Sequence, residues 1–178
     1  MKKIIILGIT VLIIIVVAVV GAMGFTSFKF FNNNTATYTD GFIVFSYPSN
    51  MTNTTTNTGL GNQGVWNFTA SFTNDNTWLL VGKTSLFTNP QKSSSVFITY
   101  LQSSNGQVVS NASASINPNG IQVYRYAYTL NNGTRVTYYE MDFANKDNST
   151  VYTINVWGFN QNQSQDIANQ IFNSLKLS

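Results

Sequence analysis

The chain opens on an unbroken apolar run: from Ile4 to Phe25 no residue is charged, and Thr10 is the only polar side chain. A helix rises ~1.5 Å per residue, so this run matches the ~30 Å hydrocarbon core of a bilayer. A lone span must be helical to satisfy its own backbone hydrogen bonds in lipid. The pattern predicts a transmembrane anchor over residues 1–25. Lys2 and Lys3 then hold the N-terminus in the cytoplasm and leave the remainder extracytoplasmic. A cleaved signal peptide with Ala22 and Gly24 at its cleavage site fits less well, because signal h-regions run only ~7–15 residues. A pilin-like assembly helix would bring a processing site and an early acidic residue, and both are missing.

After the anchor the pattern changes. Residues 26–37, "TSFKFFNNNTAT", place Phe28, Phe30 and Phe31 where interfacial aromatic rings gather and then offer nothing to bury, which predicts a juxtamembrane tether. The domain proper is expected over residues 38–178. "DGFIVFSYP" is dense in β-branched and aromatic residues and stops at Pro48, so it reads as a strand. "VWNFTASF", "TWLLVGKTS" and "SVFITYLQ" read as further strands. "SNMTNTTTNTGLGNQG" is a polar loop, and "SSNGQVVSNASAS" has no period that separates loop from short helix.

The C-terminal third alternates more clearly. "IQVYRYAYTL" and "TRVTYYEMDFA" flank "NNG", and Asn-Gly between alternating residues is a strong hairpin signal. A two-residue turn at Asn132-Gly133 places Tyr126 opposite Tyr139 and Arg125 opposite Glu140. The next turn, "NKDNST", sets Phe143 against Tyr152, Met141 against Ile154 and Tyr138 against Trp157. "SQDIANQIFNSLKL" carries Ile167, Ile171, Phe172 and Leu175 at helical spacing, with Ser164 or Asn162 as N-cap. One sheet face and one helix stripe each need a cover, and each supplies the other's. The fold class is α+β, an antiparallel sheet flanked by helices and preceded by one N-terminal transmembrane helix.

Two stretches carry a family likeness. "YTDGFIVFSYPSNM" resembles the first strand of PsbP-like domains, and "YTINVWGFNQNQSQDIANQIFNSLKL" resembles their last strand and terminal helix. Similar membrane-anchored domains occur in methanogenic archaea. The resemblance implies an antiparallel sheet flanked by helices, and it brings no catalytic residue. Photosynthetic members act as extrinsic subunits tuning calcium and chloride at a manganese cluster. Nothing in this sequence points to a photosystem.

Composition narrows the chemistry. The chain has no His and no Cys, which removes Ser-His, Cys-His and the usual zinc sites as well as disulfides. The net charge of +3 falls to seven cations against six acids without Lys2 and Lys3, so the basic balance gives no argument for nucleic acid. "GLGNQG" lacks the Lys-Ser/Thr ending of a phosphate loop. "NDNT" and "NKDNST" lack the glycine and terminal Glu of a calcium loop. No catalytic residue, cofactor or metal is therefore expected. Glu140 and Asp142 share a strand face, but an ion pair with Arg125 on a solvated face explains them more simply than paired-carboxylate catalysis. Eight Asn-x-Ser/Thr acceptors, including Asn67, Asn111 and Asn148, slightly exceed chance and permit glycosylation.

These readings converge on a non-enzymatic, single-pass membrane protein with an extracytoplasmic binding or accessory domain. A cell-surface or filament structural subunit is the alternative, and a hydrolase with an unusual Ser or carboxylate site comes third. Partners are the membrane, through the anchor, and a protein or glycan. The candidate partner-binding residues are Tyr138 and Trp157, ringed by Arg125, Glu140, Asp142 and Asn155 on the sheet face opposite the terminal helix. The resemblance implies a helix or loop from the middle of the chain over that face, and this simpler reading makes Tyr138 and Trp157 ordinary second-core residues.

Overall fold

The computed structural model describes residues 34–54, 62–63, 66–103, 107–130 and 136–178. The expected anchor at 1–25 and the Asn132-Gly133 turn lie outside the described residues. Among the described residues no helix is long and apolar enough to cross a membrane.

Asn34–Ser178 form a compact unit. Its elements are β1 (Thr35–Thr39), β2 (Ile43–Pro48), β3 (Thr52–Asn53), β4 (Asn62–Gln63), β5 (Trp66–Thr73), β6 (Thr77–Thr84), α1 (Pro90–Ser103), β7 (Gln107–Ile116), β8 (Gln122–Leu130), β9 (Val136–Ala144), β10 (Val151–Gly158), α2 (Gln161–Ser174) and β11 (Lys176–Leu177). A large sheet runs β3-β5-β6-β10-β9-β8-β7, with β4 also on β5, and a small sheet runs β1-β2-β11. The strand pairs are antiparallel. The large sheet thus has one face on α2 and the small sheet, and the other partly under α1.

The main core fills the α2 side. Leu79, Val81, Met141, Phe143, Ile154 and Val156 meet Ile167 and Ile171 of the helix, Leu175 at its C-terminal cap, and Ile43 and Phe45 of β2. Burying each such aliphatic side chain contributes roughly 1.5–3 kcal/mol. The β9–β10 register follows the sequence reading: Val151 lies opposite Ala144, Tyr152 opposite Phe143, and Trp157 opposite Tyr138. The helix starts earlier than expected. Asn160, not Ser164 or Asn162, caps it by accepting from the Gln163 N–H at 3.1 Å, and Ser164 is buried within the first turn.

Other elements depart from the sequence reading for identifiable reasons. Thr35–Thr39 extend the small sheet as β1, so the end of the expected tether belongs to the domain, with Ala36 and Tyr38 packing on the core. "SVFITYLQ" is helical, within α1. Asn89 caps the Gln91 N–H at 2.8 Å, Pro90 occupies the first helical position, and Ser94, Ser95 and Thr99 bond back to carbonyls four residues earlier. "SSNGQVVSNASAS" contributes to β7, an edge strand whose largely exposed, bulged course leaves no clean alternation.

The β8–β9 hairpin is displaced by one residue. Leu130 pairs with Val136, one residue off the register that a two-residue turn at Asn132-Gly133 would set, and Tyr126 lies opposite Glu140 instead of Tyr139. Because side chains alternate along a strand, that single step sends Tyr124, Tyr126 and Tyr128 to the same face as Glu140 and Asp142. Val123, Arg125 and Ala127 turn toward α2.

Candidate functional site

The displaced register builds two cross-strand rows on the α1 side of the sheet. The outer row is aromatic: Trp78 of β6, Trp157 of β10, Tyr138 of β9 and Tyr128 of β8 lie in successive register. Their rings stack with centroids 6.3, 5.4 and 5.0 Å apart. At the β8 end the row passes under α1, where Phe97 sits 5.3 Å from Tyr128. At the other end it meets Phe159, 5.5 Å from Trp78 and 68 % exposed. The row therefore runs from a covered end to a solvent-facing one.

The inner row is polar. Asn155, Glu140 and Tyr126 are in register, with Thr153 and Asp142 beside them. Tyr126 donates its hydroxyl to Glu140 Oε1 at 2.6 Å, Thr153 donates to the same oxygen at 3.1 Å, and Asn155 Nδ2 donates to Oε2 at 2.9 Å. Asp142 Oδ2 accepts from Ser94 of α1 at 2.8 Å and from Tyr126 at 3.3 Å. Asp142 Oδ1 has no hydrogen-bond partner among the described residues.

Burial sets the electrostatics. Glu140 is 3 % exposed and Asp142 fully buried, and neither has an ion pair among the described residues. Burial, and then the neighbouring Asp142, push Glu140 up to about 8. Burial pushes Asp142 up to about 7 against the pull of its hydrogen bonds. The pair titrates as one coupled unit and holds a proton at neutral pH. A neutral acid also tolerates the unpartnered Oδ1 better than a carboxylate does. The same burial raises Tyr126 and Tyr128 well above the usual phenol.

The six residues singled out in the sequence are thus separated. Tyr138, Trp157, Glu140, Asp142 and Asn155 do share a face. Arg125 does not: its guanidinium lies 4.4 Å over the Phe172 ring and donates to Asn169 Oδ1 at 2.5 Å, both on α2. The expected Arg125–Glu140 ion pair is therefore absent, and Glu140 and Asp142 are sealed beneath α1 instead of being solvated. Tyr138 and Trp157 are half-buried. Sequence reasoning passed over Trp78, Phe159, Tyr126 and Ser94. "TWLLVGKT" is apolar on both faces, which marks a strand buried on both sides, but gives no sign that Trp78 extends an aromatic row.

Chemically, the two carboxyls are enclosed by hydroxyl and amide donors and are buried among the described residues. Among the described residues no three His, Cys, Asp or Glu side chains gather to hold a metal ion.

The fold is PsbP-like. The chain is similar to the cyanobacterial PsbP of Synechocystis sp. PCC 6803, with a TM-score of 0.59 and 14 % identity over 84 % of this chain and 96 % of that one. It is also similar to the Ran-binding protein Mog1p of Saccharomyces cerevisiae, with a TM-score of 0.55 and 9 % identity over 81 % and 95 %. LpqN of Mycobacterium tuberculosis, involved in cell envelope biogenesis, matches with a TM-score of 0.51 and 12 % identity over 83 % and 87 %. No protein-family model matches the sequence, and no curated protein does.

Proposed function

We propose that the chain is a membrane-anchored, non-enzymatic accessory domain that binds a protein partner outside the membrane through the exposed end of its aromatic row. The observation that carries this reading is the continuity from Tyr128 beneath α1 to Trp78, Trp157 and solvent-facing Phe159. A stacked, backed row presents large apolar area while losing little side-chain freedom on binding, which is the make-up of an interface anchor. The burial of Glu140 and Asp142 supports a non-catalytic role, since general acid–base work needs a substrate within hydrogen-bond reach. Anchoring rests on the apolar run Ile4–Phe25, with Lys2 and Lys3 on the cytoplasmic side.

The test is capture of membrane-fraction proteins by the detergent-solubilised full chain, comparing wild type with Phe159→Ser and Trp78→Ser. Phe42→Ser serves as control, because Phe42 is 56 % exposed in the β1–β2 turn of the small sheet, outside the aromatic row. The reading predicts a species lost with both rim variants and retained with the control. Identical capture by all four proteins would remove the aromatic rim from function.

A further inference from the structure

At the Val151 end of β10, away from the aromatic rim, an open cleft of about 610 Å³ lies between the β7–β8 turn, the β9–β10 turn and β11. Both turns are fixed by their own side chains. Asn117 is buried: its Oδ1 accepts from the N–H groups of Asn119 at 3.0 Å and Ile121 at 2.9 Å, while its Nδ2 donates to the carbonyls of Phe172 at 3.1 Å and Leu175 at 2.8 Å. Across the cleft, Asn145 Oδ1 accepts from the Thr150 N–H at 3.1 Å, and Asn148 takes the left-handed φ of 56° that the turn requires. The walls are therefore set before any ligand arrives.

Charge is concentrated there. Of the five cations among the described residues, Lys146 and Lys176 both line the cleft, and no acidic residue does. Neither lysine has an ion-pair partner among the described residues. Asp147, between Lys146 and Asn148, is turned to the Ser149 N–H at 3.0 Å. The start of α1 at Pro90 borders the same space and has no acid in its first turn, so its dipole adds to the positive field.

The geometry points to a binding site for an acidic saccharide, a hexose or disaccharide bearing a carboxylate or phosphate. The volume lies in the roughly 300–1,000 Å³ range of small-ligand clefts, too large for a simple inorganic anion to fill. Two ammonium groups meet the acid, Gln122 and Asn148 meet hydroxyls, and the part-exposed Leu177 meets the apolar side of a ring. This site is separate from the aromatic rim and stands whether or not that rim binds a partner.

The test is calorimetric titration of the full chain in detergent with digalacturonate and with glucose 6-phosphate, using maltose as the neutral control. Saturable binding of one or both acidic sugars is expected, and the one that binds identifies the acid group. Lys146→Gln and Lys176→Gln, both at exposed positions, should each weaken binding about tenfold, the loss of one charge-assisted hydrogen bond, with an unchanged melting temperature. No saturable binding of either acidic sugar overturns the proposal. So does equal binding of maltose, or unchanged affinity in both lysine variants.

Discussion

Tyr126 and Glu140 face each other across β8 and β9, joined by a 2.6 Å hydrogen bond from the phenol to a carboxyl that is almost wholly buried. The bond ties the hairpin's register to the burial of its acids, because a one-residue slip would take the phenol away and leave Glu140 only its donors on β10, Thr153 and Asn155. Tyr126→Phe should therefore destabilise the domain by about 1–3 kcal/mol, the cost of removing a partner from a buried polar group. Chemical denaturation of the variant against wild type checks this.

The acid pair makes stability depend on pH in an unusual direction. Glu140 and Asp142 hold their protons more tightly in the folded state than in the unfolded chain, where carboxyls titrate near 4. Between about pH 4 and about pH 8 the folded state therefore binds more protons, and stability falls as pH rises, by up to about 1.4 kcal/mol per pH unit for each group titrating. The melting temperature should drop from pH 5 to pH 9 and then level off. Glu140→Gln, which replaces the neutral acid with a neutral amide, should flatten that drop. A profile rising from pH 5 to pH 8 would mean that the pair is ionised.

The β9–β10 pairing and α2 were legible because both carry a continuous apolar face, and any slip would expose Met141, Phe143 and Ile154. The β8–β9 register was not legible. Tyrosines suit either face of a strand, and Asn132-Gly133 drew the pairing toward a two-residue turn. With the wrong register Glu140 met Arg125 and read as a surface ion pair, so the buried acids escaped notice. The α1 signal was present in Asn89-Pro90, a cap followed by proline, but the β-branched run after it outweighed that cue. No local pattern in β7 marks it as a strand, since it pairs along one edge with mostly exposed Ser, Ala and Asn.

Gly158 ends β10 where the sheet closes against the Asn76 turn. A Cβ there would collide with the Asn76 carbonyl oxygen and lie 3.0 Å from Thr77 Cα, and backbone atoms cannot yield as a flexible side chain does. Gly158→Ala should cost about 1–3 kcal/mol, read from thermal or denaturant melts. It should also loosen Phe159, whose N–H donates to the same carbonyl at 3.1 Å.

The anchor reading predicts that protease added to intact cells or spheroplasts removes the domain and leaves a membrane-embedded N-terminal fragment. Recovery of a soluble mature protein starting near Phe25 would instead mean that the segment is cleaved.

The central claim, that the open end of the aromatic row is where a partner docks, is tested most directly by photo-crosslinking in intact cells. A photoreactive phenylalanine at position 159 should yield one discrete higher-mass adduct, and the same residue at position 42, in the β1–β2 turn of the small sheet, should yield none. Absence of an adduct at 159, or the same adduct from both positions, would contradict the account.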